Sequence, residues 1–584
     1  MTPFSIDAKA QRPASAAPPG PMMPVTFSGC FGWFHPAAQN CSLAVVLCPP
    51  LGREARWIHR SFRKLANRLA ASGVPALRFD YPNSGDSCDL PEGGEPLAAW
   101  RDSVHIAADW LRAQTGATHL AMAGIRFGAL LAADTAAART DVAALALLAP
   151  VLSGRSYVRE LKTLARLADT ARGADPVEMD GLVLSDETML AMSAMAMPRT
   201  AAPAPHVLVL EHGSAANGFL GTLAGLGAEV TAMPFAGYTD LMRSAVSNRV
   251  PDGDLDHIVT WFDGLPRHPL PGRPPDPPVM ELRPPGYVER PLTFGPGRQL
   301  FGMLCRPDTS QAPGRVVIIG NSGGDPHTGI SRLSVVLARQ LASQGIASLR
   351  MDFAGLGDSM LGSDDREGHL FNTDRRKDFA AAVDRLAQLG FRHFAAFGLC
   401  TGAYHALAAA IADERIEGLA LVNLPTFSWQ QDDPVDMSLP MQFRSSASYR
   451  QGLRDLENWS RMLRGEVAIR GILRVLRQRY TRRAALMALR VAESVGLPLN
   501  TALGRPRRTI RALLQRGVRI QFLLSLGDPG IDLLEASFGR GGRALQGFGE
   551  AEVTIRAGLD HTLSLQRMRD DAVEIVAGFF CRGA

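Results

Sequence analysis

The chain has 584 residues, 46% apolar and 20% charged, a length beyond what one hydrophobic core sustains, so at least two domains are predicted. A net charge of +5 is small for this size and makes no case for nucleic acid. Seven scattered cysteines with no Cys-x-x-Cys pair argue against structural zinc and a disulfide framework.

Residues 1–24 are rich in Ala and Pro and read as a flexible tail. They lack a basic start followed by an apolar stretch, and no apolar run of ~18 residues follows. The expectation is a cytoplasmic protein with no integral membrane segment. From residue 25 to 262, short apolar runs such as "LAVVLC" alternate with helical patterns such as "RSFRKLANRLAASG". Residues 263–289 are proline-dense and predict a semi-rigid spacer. From 290 to 584 the alternation returns, with "VVIIG", "IASLRMDF", "HFAAFGL", "LALVN" and "IQFLLSL" as buried strands. Strand–helix alternation predicts α/β domains, each a mostly parallel sheet flanked by helices.

The two stretches match each other in order. "LAVVLCPPLG" answers "RVVIIGNSGG", and "RSFRKLANRLAASGVPALRFDYPNSGDS" answers "SRLSVVLARQLASQGIASLRMDFAGLGDS". Arg78 and Asp80 correspond to Arg350 and Asp352, and Asp86 to Asp358. A duplicated domain is the simplest source of such a match. The "RMDFAGLGDS" segment is read as shaping the loop after a strand, and His327 and His405 as structural or surface groups.

Within "HFAAFGLCTGAYHALAAAI" the pattern strand, sharp turn, helix surrounds Gly398-Leu399-Cys400-Thr401-Gly402. Such a turn lifts a nucleophile above the sheet, and its glycines leave room for the close backbone approach. Cys400 is the candidate nucleophile. His561 in "AGLDHTL" is the candidate base, and Asp528 in "SLGDPG" the acid that fixes its tautomer, with Asp532 and Asp560 as rivals. The oxyanion donors are sought at the Thr401 backbone N–H and, from "GNSGGD", at Ser322 or Gly323. No metal cluster or nucleotide-binding fingerprint is present, so no cofactor and no metal is predicted.

The first half fails the same test. Its elbow, "GIRFG", holds Arg126, and the slot of His561 holds Asp240. Arg126 cannot attack a carbonyl. It either pairs internally with Asp240, the preferred reading, or binds an anionic ligand group. The first half is therefore expected to keep the fold without the chemistry.

These motifs resemble the α/β-hydrolase superfamily. The "GIRFG" half is similar to one of two hydrolase-like proteins associated with bacterial exosortase and exopolysaccharide gene clusters. The half with "GLCTG" and "GDPGID" is similar to its companion, and the Cys elbow also resembles that of dienelactone hydrolases. The resemblance implies two tandem α/β-hydrolase domains with helical lid inserts, the second lid at about 426–515. It also implies acyl or ester chemistry, extending to saccharide-linked groups. That lid is basic, which admits an acyl-CoA or carrier-protein partner. The alternatives are an acyltransferase with the same residues and a non-catalytic scaffold or ligand-binding protein in polysaccharide assembly.

Overall fold

The computed structural model describes residues 20–168, 177–213, 217–272, 275–277, 281–309, 314–360, 375–427, 477, 481, 484 and 504–582. The first sheet comprises β1 (Met23–Phe27), β2 (Cys30–His35), β3 (Leu43–Cys48), β4 (Ala76–Phe79), β5 (His119–Ile125), β6 (Val142–Leu148), β9 (His206–Glu211) and β10 (Glu229–Pro234). A separate hairpin, β7 (Glu178–Met179) and β8 (Leu182–Val183), lies in the insert after β6. The second sheet comprises β11 (Tyr287–Phe294), β12 (Leu300–Pro307), β13 (Arg315–Ile319), β14 (Ala347–Asp352), β15 (His393–Leu399), β16 (Ile416–Val422), β17 (Arg519–Ser525) and β18 (Ala551–Arg556).

The strand orders are β1-β2-β4-β3-β5-β6-β9-β10 and β11-β12-β14-β13-β15-β16-β17-β18, the same topology twice. In each, the first two strands are antiparallel and the other six run parallel. This is the predicted tandem α/β-hydrolase architecture. Central strands are apolar throughout because helices cover both faces. β3 and β15 bury nearly every side chain, and the helix Arg53–Ala71 turns Ile58, Phe62, Leu65 and Leu69 onto one face of the first sheet.

The two domains meet along β2 and β12 and the loops after β4 and β14. Phe31 stacks on Phe301 at 6.2 Å, and Trp33 meets the same ring edge-on at 4.7 Å. Around these rings lies a charged network in which each domain reaches the loop of the other. Arg350 pairs with Asp86 of the first domain at 2.8 Å, and Arg78 pairs with Asp358 of the second at 2.5 Å. Arg63 donates to the carbonyls of Gly357 and Ser359, while Arg332 donates to those of Gly85 and Ser87. His327 bridges Asp86 at 2.6 Å and Asp352 at 2.7 Å through its two ring nitrogens. The "RMDFAGLGDS" loop and its twin thus join the domains, a task beyond shaping a turn.

Several boundaries differ from the sequence reading. β1 begins at Met23, inside the predicted tail, and β11 begins at Tyr287, inside the predicted spacer. That spacer also packs at both ends: Asn40 and Ser42 of the first domain donate to the carbonyls of Gly272 and His268, and Leu282 exchanges backbone hydrogen bonds with Glu289 on β11. Proline lacks an N–H, yet its carbonyls and those of its neighbours still accept. Most of the predicted lid at 426–515 lies outside the described residues; its end is the helix Arg505–Gln515, which buries Ile510, Leu513 and Leu514.

Candidate active site

β15 ends at Leu399 and the helix Thr401–Ala412 starts one residue later, leaving Cys400 alone to make the turn. Its φ of 54° and ψ of −121° are a strained combination for a residue with a side chain. The turn is held by Cys400 N–H donating to the Val422 carbonyl at 2.9 Å. A Cβ at Gly398 would stand 2.1 Å from the Gly402 carbonyl carbon, and one at Gly402 would stand 2.6 Å from the Asn321 carbonyl oxygen. Both positions must therefore be glycine for the helix to begin where it does. Cys400 is 5% exposed.

His561 follows β18, and Asp528 follows β17 at the N-cap of the helix Pro529–Phe538. The His561 Nδ1 and an Asp528 carboxylate oxygen are 2.5 Å apart. Asp528 is buried, and its other oxygen accepts from the Gly530 N–H at 2.7 Å, which fixes the carboxylate plane. Of the three acids considered, Asp528 is thus the one on the ring. Asp560 instead accepts from the Thr562 and Ser564 N–H groups and ties its own turn. Burial of the His561 ring opposes its charge, but the neighbouring Cys400 and Asp528 outweigh this and push its pKa up to about 10.

On the oxyanion side, the Gly323 N–H donates to the Thr401 hydroxyl at 2.7 Å and is already engaged. The backbone N–H groups of Thr401 and Ser322 stand as the remaining candidates from the sequence reading. The first domain supports this loop from behind: a Cβ at Gly324 would lie 2.4 Å from the Ala245 carbonyl, and one at Gly323 would lie 3.1 Å from Val246.

Asn423, at the end of β16, was not singled out from sequence. Its amide donates to the His561 carbonyl at 2.9 Å and to Ser525 Oγ at 2.9 Å, and its oxygen accepts from the Ser525 N–H at 2.8 Å. It fastens the histidine loop to the strands beneath. The signal was present in the internal repeat, where "LALVN" faces "LALLA" and Asn423 has Ala149 as its counterpart.

In the first domain the elbow survives without its nucleophile. Arg126 has φ 53° and ψ −122°, and its N–H donates to the Leu148 carbonyl at 3.0 Å. Its guanidinium lies 3.3 Å from Glu54 and 2.5 Å from Glu160, with the Tyr157 ring 5.6 Å away. The expected pair with Asp240 does not form. Asp240 lies on the short helix Tyr238–Leu241, where Arg243 three residues on neutralises it at 3.1 Å. Two carboxylates from the covering helices reach Arg126 instead.

Among the described residues, His327, Asp352 and Asp358 are the group that could hold a metal ion, within 4.8 Å of one another. Both ring nitrogens of His327 are taken by carboxylates, and Asp358 is held by Arg78, so the arrangement is that of an ion-pair network.

No protein-family model matches the sequence, and no curated protein matches it. Among solved structures, a thermostable carboxyl esterase from Bacillus coagulans is similar at 13% identity and TM-score 0.33, covering 42% of this chain and 99% of its own. An α/β serine hydrolase without lid from Xanthomonas campestris is similar at 19% identity and TM-score 0.27, covering 42% of this chain and 96% of its own. A cold-adapted esterase from an Arctic intertidal metagenomic library is similar at 15% identity and TM-score 0.25, covering 51% of this chain and 96% of its own. The fold assignment rests on sheet order. Among the described residues, no helix is long and apolar enough to cross a membrane.

Proposed function

We propose that the second domain is an acyl or ester hydrolase working through Cys400, His561 and Asp528. The observation that carries this reading is geometric: His561 Nδ1 is held by buried Asp528 at 2.5 Å, and Cys400 stands alone at the strained turn between β15 and its helix. In the first step His561 takes the Cys400 thiol proton and becomes an imidazolium. Cys400 Sγ then adds to the acyl carbonyl, whose oxygen becomes an anion held by the N–H groups of Thr401 and Ser322. Collapse breaks the bond to the leaving group, which receives the His561 proton, and an acyl thioester remains on Cys400. Water gives a proton to His561 and adds to the thioester. Collapse of this second adduct releases the carboxylic acid and restores the thiolate–imidazolium pair.

The substrates that suit this centre are small acyl esters and thioesters, and saccharide-linked acyl groups share that chemistry. The Arg-rich stretch that would receive an acyl carrier lies outside the described residues. The first domain, with Arg126 bound to Glu54 and Glu160, serves as a non-catalytic lobe that backs the oxyanion loop.

Hydrolysis of short p-nitrophenyl esters and acyl thioesters by the full chain and by Cys400→Ala tests this. Activity in the first and a loss of 1,000-fold or more in the second is the expected result, as for removal of a nucleophile acting within a triad (~10⁶ in kcat in the best-studied case). Equal activity in both would remove Cys400 from the chemistry. No hydrolysis, but acyl transfer to an added sugar hydroxyl, would assign the same centre to transfer. A folded protein inert in both assays, with a Cys400 no more reactive to iodoacetamide than a buried thiol, would favour a scaffold.

A further inference from the structure

The duplication supplies an internal control for a site that the hydrolase reading does not use. From Leu43 to Ser87 the first domain aligns without gaps on the second at a constant offset, so that Asp80 answers Asp352. Asp352 is saturated. One of its oxygens accepts from Asn321 Nδ2 and the His327 N–H, both at 2.7 Å. The other accepts from the Asp358 N–H at 2.8 Å and from His327 Nδ1 at 2.7 Å. In the first domain the counterpart of Asn321 is Pro49, which has no side-chain donor, and the counterpart of His327 is Ala55. Among the described residues Asp80 keeps one hydrogen bond to its carboxylate, from the Asp86 N–H at 3.0 Å.

A pocket open to solvent lies at the domain boundary, with Ala55 and Asp80 in its wall. Trp33, Leu51, Phe62, Phe79 and Met179 supply apolar surface. The other charged groups in the wall are already matched. Arg56 is held by Asp180 and Asp325, Arg78 and His59 by Asp358, Arg332 by Asp89, and Asp86 by Arg350 and His327. Asp80 is the carboxylate in this wall with no cationic hydrogen-bond partner among the described residues. A carboxylate in a pocket wall that also offers aromatic and aliphatic surface is the usual composition of a site for an organic cation.

We propose that this pocket binds a small organic cation with an apolar body, its ammonium or other N–H⁺ group donating to Asp80 as His327 donates to Asp352 in the second domain. The ligand supplies Asp80 with the cationic donor that His327 gives Asp352. It sits between Ala55 and Leu51 on one side and Pro326 and Thr328 of the second domain on the other, so it bridges the two domains. The pocket shares no wall residue with Cys400 or His561, and the proposal stands whether or not the hydrolase reading does.

Benzylammonium is a suitable probe and benzyl alcohol its neutral match. Calorimetric titration of the full chain is expected to show benzylammonium binding at least tenfold more tightly than benzyl alcohol. In Asp80→Asn that preference is expected to vanish, and Ala55→Phe, which fills the space, is expected to lose both ligands. Burial and the neighbouring Asp86 push the Asp80 carboxyl up to about 6, so benzylammonium affinity is expected to fall as pH drops through that value. Equal affinity for the two probes, no binding of either, or an ammonium preference that persists in Asp80→Asn would each overturn the proposal. So would binding unaffected by Ala55→Phe. Should Asp80→Asn fail to fold, the comparison of the two probes on the wild-type chain decides alone.

Discussion

His561 carries the clearest electrostatic signature at the candidate site. Its pKa of about 10 lies above the ordinary ~6.5 of a histidine, so its ionic contacts contribute fully to stability below that value. The contribution is lost as pH rises through about 10. The same titration predicts a split in reactivity. Ester cleavage, which needs the imidazolium to protonate the leaving group, should decline above pH 10. Alkylation of Cys400 by iodoacetamide, which needs only a thiolate, should not. Parallel pH profiles of the two reactions check this. Much of this centre was legible in the sequence because it is local or ordered along the chain. The glycines of the elbow sit beside Cys400, and Asp528 and His561 follow in the order the sheet topology demands. The engagement of Gly323 by the Thr401 hydroxyl was not legible, because it depends on a contact 78 residues apart in sequence.

At the level of elements, the two elbows show how little of the fold depends on the nucleophile. β5 with its following helix and β15 with its own place Arg126 and Cys400 at the same φ and ψ to within 1°. What differs is the strand alongside. Asn423 directly follows β16 and clamps the His561 loop, whereas Ala149 directly follows β6 and offers no side-chain hydrogen bond. Asn423→Ala leaves the buried Ser525 N–H without its acceptor, a cost of about 1–3 kcal/mol. It should also lower kcat more than it raises KM, since the histidine loop loses its anchor. Denaturant melts and steady-state kinetics of this variant measure both effects. The partners of Arg126 were missed for a related reason. Sequence register pointed to Asp240, but the charges nearest in space come from Glu54 and Glu160 on helices the register does not align with the elbow.

At the scale of the molecule, duplication was plain in the sequence, but the surface joining the copies was not. The same Arg-x-Asp…Gly-Asp motif occurs in both halves, and its charges meet across the interface, so each copy supplies the counter-ions of the other. His327, with a carboxylate on each nitrogen, is held protonated far above the usual histidine range despite burial, and its contribution is complete below pH ~6.5. Asp86 and Asp89 move the other way. Burial alone would raise them, but Asp86 is held well below the carboxylate range by His327 and Arg350, and Asp89 at about 2 by Arg332 and Arg339. Their contribution is present above pH ~4 and is lost as pH falls through their lowered values. The interface should therefore loosen in acid before either sheet unfolds, and differential scanning calorimetry should resolve two transitions below pH 4 where one is seen at pH 6. The proposed function has one domain react and the other support it, and it requires a covalent intermediate on Cys400. Intact-mass and peptide mass spectrometry after brief exposure to a short acyl thioester tests it most directly. The account predicts one acyl group per chain, located on the peptide containing Cys400 and absent in His561→Ala. Turnover with no adduct on Cys400, at rates equal in wild type and Cys400→Ala, would contradict it.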